Sequence, residues 1–176
     1  GLRAEIGRIP ATCSSPAVAL PKLAWWREEL ARLARGEPRH PLTQALSESA
    51  PAALVPAAMA LVAGLESMLG GADWPSRALR RNAIQLAHGP LWEVTLGVCH
   101  AQGPAPAAAL ALAAAVEEAW LLRDARRYID GGLPLVTKEL GISHGAAPRA
   151  EQASRGDWHA RVLGEDLARL EDELRG

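Results

Sequence analysis

One predicted helix carries the charged and aromatic residues best suited to chemistry. Glu117, Trp120 and Asp124, followed by Arg127 or Tyr128, recur at intervals of three or four residues. A helix turns by about 100° per residue, so this spacing places them along one stripe of its surface. The stripe combines acid, aromatic and base. It is a metal and phosphate site, the remains of one, or an ordinary helix face.

Composition predicts that helices position these residues. The chain has 176 residues, of which 49% are hydrophobic, a fraction too high for a disordered protein. Alanine and leucine dominate and both favour helix, whereas no stretch alternates apolar and polar residues as a strand would. We therefore expect an all-α fold, with a single helical domain over residues 1–176.

Charge and cysteine content limit the classes of partner. The formal net charge is −1, which provides no field for generic nucleic-acid binding. Cys13 and Cys99 lie far apart without zinc-site spacing, which fits a reducing cytoplasm, and we expect a cytoplasmic protein. We expect no signal peptide and no transmembrane segment, because charge, Pro or Gly interrupts each apolar run. Peripheral contact with a membrane surface stays open.

Apolar spacing and helix-breaking residues predict the order of the helices. A first helix is expected to end at Pro10, and a loop is expected over Ala11 to Pro21. The helices expected next are Lys22 to Arg35, Pro41 to Glu48 and Pro51 to Leu69. A further helix is expected over Ser76 to His88, interrupted at Gly89-Pro90 and resumed over Leu91 to Ala101. The longest helix is expected over Ala107 to Ile129. A flexible loop over 141–156 and a C-terminal helix over 157–175 complete the prediction, and the leucines of that helix are expected to pack on their own domain.

Helical spacing also predicts which faces are solvated. Glu28 and Glu29 are expected on an exposed charged face, and Arg77, Arg80 and Arg81 on the outer side of their helix. The adjacent indoles of Trp25 and Trp26 point about 100° apart, so one should enter the core and the other should stay at its edge.

Common catalytic and nucleotide-binding motifs are absent from the sequence. It contains neither GxGxxG nor GxxxxGK[ST], no HExxH and no GxSxG. The five histidines are scattered, so each is better explained by capping, surface or core positions than by metal ligation. No catalytic or metal-ligating residue is predicted on these grounds.

Several segments resemble the squalene/phytoene synthase family. Leu23-Ala-Trp-Trp-Arg-Glu-Glu-Leu30 runs into a Gly-x-Pro-x-His-Pro turn that begins at Gly36. Later landmarks follow in the family's order: Gly89-Pro-Leu-Trp92, Leu121-Leu-Arg-Asp124 and Gly132-Leu-Pro134. The resemblance spans roughly residues 1–140 and implies a shortened all-α isoprenoid synthase fold, with helices around a central cavity.

The resemblance also implies what an active member would contain. In such members two acidic motifs on facing helices hold magnesium ions, which bind a prenyl diphosphate; Mg²⁺ requires hard oxygen ligands. At the place of the first motif, Leu2 to Ile9 offers only Glu5. At the second, Asp124 is followed by Arg127 and Tyr128 where acids are expected. The sequence therefore resembles a degenerate branch of the family, similar to the one that includes a mitochondrial complex I assembly factor.

Three hypotheses follow. The first is a non-catalytic protein without cofactor that binds an apolar isoprenoid-like ligand or a protein partner, with a candidate pocket at Trp26, Trp92, Glu117, Trp120 and Asp124. The second is a prenyl transferase, the only reading that requires Mg²⁺, in which Arg123, Arg126 and Arg127 contact phosphate. The third is a purely structural helical scaffold.

Overall fold

The computed structural model describes residues 1–71, 74–99, 107–130, 133, 135, 137, 161, 163–170, 172 and 175. Within these residues every regular element is a helix, which confirms the all-α class for them. The elements are α1 (Leu2–Gly7), α2 (Ile9–Thr12), α3 (Pro16–Ala34), α4 (Pro41–Leu46), α5 (Leu54–Leu69), α6 (Arg77–Cys99), α7 (Ala107–Arg123) and α8 (Ala125–Asp130). None of the helices in this part of the chain has the length and hydropathy needed to cross a membrane.

The core forms where α5 packs against both α3 and α6. Leu23 and Leu30 of α3, Leu61 and Leu65 of α5 and Ile84 of α6 are almost completely buried. Their spacing of four or seven residues within a helix keeps each set on one face. Burying a side chain of this size stabilises the fold by about 1.5–3 kcal/mol, so this layer holds the other helices in place.

A glycine allows α5 and α6 to approach closely. A Cβ added at Gly64 would lie 2.4 Å from the Cβ of Ala87 and 3.0 Å from its Cα. The first distance is shorter than real Cβ contacts and the second is unusually tight, so the small residues set the distance between the two helices.

Pro21, which was expected in a loop, and Pro90, which was expected to interrupt a helix, both lie inside helices. The predicted loop over Ala11 to Pro21 is wrong, because α3 begins at Pro16 and continues through Pro21. Likewise α6 runs through Pro90 without interruption. A proline lacks the N–H that would bond the carbonyl four residues earlier. Here those carbonyls belong to Ala17 and Leu86, which are exposed, so water can replace the missing donors.

The helix predicted as the longest is divided and is not the longest in the described part. It forms α7 and α8, with Asp124 as a turn residue between them, whereas α6 has 23 residues and α7 has 17. The backbone N–H groups of Arg127 and Tyr128 both bond to the Asp124 carbonyl.

Most of the predicted C-terminal region lies outside the described residues. The loop over 141–156 and parts of the helix over 157–175 belong to it. Residues 163–170 are helical, Leu163 and Leu170 are buried in the core, and Leu167 packs against it. The expected packing of this helix on its own domain is therefore confirmed for those leucines.

Candidate functional site

A cavity of about 360 Å³ lies beside one face of α7. Glu117, Trp120 and Asp124 line it together with Arg127 and Tyr128. The stripe predicted from the sequence therefore faces one cavity, although α7 ends before Asp124.

The opposite wall is built by α1, α2 and the residue between them. Ala4, Gly7 and Ala11 line it at helical spacing, with Arg3 and Arg8 beside them. Because the three apolar residues are small, this wall leaves space in front of α7 instead of filling it. Two arginines thus face the charged stripe from across the cavity.

Glu117 is the most enclosed charged group at this site. It is only 3% exposed, and its carboxylate receives contacts from α1 and α6. Trp92 Nε1 donates to Glu117 Oε1 over 2.9 Å, and Arg3 donates to the same oxygen. His88 Nδ1 lies 3.3 Å from the other oxygen. The carboxylate therefore joins three helices and has little capacity left for a ligand.

The surroundings keep Glu117 ionised. Burial by itself raises its pKa, but the nearby His88, the charge of Arg3 and the Trp92 donor together lower the pKa below its ordinary value. A lowered pKa means that the carboxylate is negatively charged at neutral pH, as its pairing with Arg3 requires.

Arg3 lies between two indole rings. Its guanidinium carbon is 5.0 Å from the ring centroid of Trp92 and 4.6 Å from that of Trp120. A planar guanidinium stacks well on aromatic faces. Trp120 is 39% exposed, so its ring covers Arg3 at the edge of the cavity and is not part of the core.

The arginines near the end of α7 do not all face the cavity. Arg123 and Arg127 line it, whereas Arg126 is exposed outside the lining. Arg123 Nη2 lies 4.0 Å from Asp124 Oδ2, and both side chains are largely in solvent. Of the three arginines predicted to contact phosphate, Arg123 and Arg127 therefore reach the cavity and Arg126 does not.

Trp26 does not belong to this cavity. It is buried in the core at 6% exposure and lines a separate depression of about 250 Å³ with Trp25 and Glu5. The Trp25 ring meets it edge to face, with centroids 5.3 Å apart, and stays 42% exposed. The prediction of one buried and one peripheral indole is confirmed, but the structure does not bring Trp26 to Glu117.

Glu29 corrects the prediction of a solvated charged face. Its carboxylate is completely buried, because the turn after α3 folds back over it. The backbone N–H groups of Arg39 and His40 donate to Glu29 Oε1 over 2.7 and 2.8 Å, and the Thr43 hydroxyl donates over 2.5 Å. Arg32 Nε donates to Oε2 over 2.9 Å. These contacts hold the Gly-x-Pro-x-His-Pro turn in place, so the burial of Glu29 is explained by its structural role.

A second buried ionic cluster corrects the predicted outer position of Arg80 and, in part, that of Arg77, whereas Arg81 is exposed as predicted. Arg80 is 1% exposed, and its Nη2 lies 2.9 Å from Glu118 Oε1 and 2.5 Å from Asp166 Oδ2. Arg77 contacts Asp166 over 3.0 Å, and Arg81 contacts Glu118 over 2.6 Å. Spacing within α6 could not reveal this burial, because the acids come from α7 and from residues 163–170.

The cavity lining does not fit a magnesium site. Arg3 and Trp92 donate to Glu117 and His88 lies beside it, and among the described lining residues Asp124 is the only other carboxylate, beside Arg123 and Arg127. Glu5 lines the other depression. In the described part of the chain, no three His, Cys, Asp or Glu side chains are grouped as metal ligands would be. Arginines would repel a divalent cation here and attract an anion.

The sequence did not identify His88, or the charged residues Arg3 and Arg8 of the opposite wall, as members of the site. The repetition of small residues at Ala4, Gly7 and Ala11 was a usable signal for a helix face in front of open space. Nothing near His88 in the sequence indicated that it would meet Glu117.

A larger depression of about 710 Å³ between α5 and α6 is less suited to specific chemistry. The described part of its lining is mostly Pro, Ala, Val and Gly, with Glu93 as its one charged residue. Binding sites usually combine apolar walls with several convergent polar groups. The cavity beside α7 meets that description better.

Comparisons with protein-family models, with curated proteins and with solved structures found no match for this chain. The features that bear on its function are therefore the all-α arrangement of the described residues and the Arg-rich cavity beside α7.

Proposed function

We propose that this chain is a non-catalytic binding protein, similar to a shortened squalene/phytoene synthase, which holds an isoprenoid-like ligand in the cavity beside α7. The state of Glu117 carries the proposal. Arg3, His88 and Trp92 bind the carboxylate that would otherwise be best placed for a metal ion, while about 360 Å³ remains open beside it.

The volume and walls of the cavity suit a small amphipathic molecule. Protein sites for small ligands usually enclose about 300–1,000 Å³ with apolar walls and a few polar groups. Trp120, Leu121, Ala4 and Ala11 offer apolar contacts. Apolar contacts are not directional, so such surfaces can bind hydrocarbon groups of different shapes.

The landmarks of the family resemblance support the same location. Leu121 and Asp124, from one landmark, line the cavity, and Trp92, from another, bonds to Glu117. Residues that motivated the resemblance thus lie together in space although about 30 positions separate Trp92 from Leu121. This clustering favours ligand binding over the scaffold hypothesis.

One observation favours the prenyl transferase alternative. Arg123 and Arg127 line the cavity and could hold a diphosphate through bidentate hydrogen bonds. That alternative requires turnover, which a binding protein lacks, so the two are separable by experiment.

The test combines binding with turnover. The protein is titrated with a non-hydrolysable farnesyl diphosphate analogue by calorimetry, and diphosphate release is followed with farnesyl diphosphate and Mg²⁺. We expect saturable binding without release. The variant Ala4→Trp should block the cavity and abolish binding, whereas Ala24→Trp, at an exposed position of α3 outside that cavity, should bind normally.

Diphosphate release that Ala4→Trp abolishes would replace the proposal with the prenyl transferase. Absence of binding to the unmodified protein would leave the scaffold hypothesis.

A further inference from the structure

The mouth of the cavity beside α7 is rich in unpaired positive charge. Among the described residues, its lining contains four arginines and two carboxylates. Arg3 pairs with Glu117 and Arg123 lies near Asp124. Within the described residues neither Arg8 nor Arg127 has an ion-pair partner, although both are exposed at the cavity. These two cations come from opposite walls.

Tyr128 adds an unused hydrogen-bond donor. It is 8% exposed and lines the same cavity, and in the described part of the chain its hydroxyl has no hydrogen-bond partner. Burial, followed by the charges of Asp124 and Glu117, raises the pKa of this hydroxyl, while Arg8 and Arg3 oppose the shift. The hydroxyl therefore keeps its proton and can donate it in a hydrogen bond.

We infer that the ligand carries an oxyanion, a carboxylate or a phosphate monoester, which Tyr128, Arg8 and Arg127 bind without a metal ion. This inference rests on the proposed function and names the chemical class of its ligand. The anion joins Arg8 of one wall to Tyr128 and Arg127 of α8, and the apolar body of the ligand lies against Trp120 and Leu121. A buried donor and two unpaired cations recognise such a group more strongly than a neutral hydroxyl.

A series of ligands with the same chain and different head groups tests this inference. Octyl phosphate, octanoate and octanol are titrated with EDTA present, and tryptophan fluorescence reports binding because Trp92 and Trp120 adjoin the cavity. We expect the anionic ligands to bind at least about tenfold more tightly than octanol, since a charge-assisted hydrogen bond contributes at about that level. The stronger of the two anionic ligands identifies the head group.

Matched variants show whether the named residues cause the preference. Tyr128→Phe removes only the hydroxyl and should reduce the ratio of octanol to octyl phosphate dissociation constants by about tenfold. Arg127→Gln should reduce it similarly, whereas Arg126→Gln, at the exposed neighbour outside the lining, should change it by less than about twofold.

The outcomes separate this inference from the proposed function. If all three ligands bind equally and Ala4→Trp abolishes their binding, the cavity is a binding site but the anion inference is wrong. Equal effects of Arg126→Gln and Arg127→Gln would also overturn it, because they would indicate general surface charge. If none of the three ligands binds, the proposed function fails as well.

Discussion

At the scale of single residues, the adjacent acids Glu28 and Glu29 show how differently one residue type behaves. Glu28 is exposed and lies 3.6 Å from Arg32, whereas Glu29 is buried under the turn that precedes α4. Burial raises the pKa of Glu29. The backbone donor of His40, the Thr43 hydroxyl, Arg32 and the second backbone donor outweigh it and lower the pKa to about 2.

Replacing Glu29 should therefore destabilise the protein in a pH-dependent way. Glu29→Gln removes a charged acceptor of several hydrogen bonds and should lower the free energy of unfolding by about 2 kcal/mol at pH 7. The folded pKa is lower than the ordinary value of 4.5, so this stabilisation is present above that pH and is lost as the pH falls towards 2. Urea unfolding at several pH values measures the difference.

The neighbouring acid provides the control for this prediction. Glu28→Gln alters an exposed pair and should change stability by less than about 0.5 kcal/mol. Equal destabilisation by both variants, or a Glu29→Gln effect that does not decline in acid, would contradict the structural role of Glu29.

At the scale of helices, glycine positions in α5 and α6 have opposite predicted effects. Gly64→Ala gains helix propensity but places a Cβ 2.4 Å from that of Ala87, so we expect a net loss of about 2 kcal/mol. Gly97→Ala has no atom within 4 Å of the new Cβ and should stabilise by about 0.5–1 kcal/mol. Thermal and urea unfolding of both variants checks the sign, and stabilisation by Gly64→Ala would contradict the close packing.

The buried ionic cluster is a second test at this scale. Arg80→Met leaves Glu118 and Asp166 buried with one arginine each, and we expect a loss of about 3 kcal/mol. Arg27→Met breaks the more exposed pair with Glu66 and should cost less than about 1 kcal/mol. Urea unfolding at neutral pH measures both free energies; similar values would show that burial does not distinguish the two pairs.

Helix type was predictable from the sequence, but several helix boundaries were not. Leucine spacing correctly indicated the face that α3 buries. Pro21 was assigned to a loop and Pro90 to a helix interruption, because local sequence does not show whether the carbonyl four residues earlier is accessible to water. The ionic cluster could not be predicted from local sequence either, because it joins residues that are far apart in the chain. Arg80 and Asp166, for example, are separated by 86 positions.

At the scale of the whole molecule, half of the cavity was predictable. The stripe from Glu117 to Tyr128 follows from the period of one helix, and all of its named members line the cavity. The opposite wall depends on how α2 packs against α8 and α1 against α5, which no local period records. For that reason the sequence did not indicate that Arg3 would bind Glu117 or that Arg8 would face the cavity.

The central claim is that this cavity binds its ligand through protein cations instead of magnesium. The most direct measurement is the dissociation constant of the non-hydrolysable farnesyl diphosphate analogue in EDTA and in excess Mg²⁺. Because arginines and a hydroxyl supply the contacts, the two values should agree within about threefold. Binding that occurs only with Mg²⁺ would contradict the account.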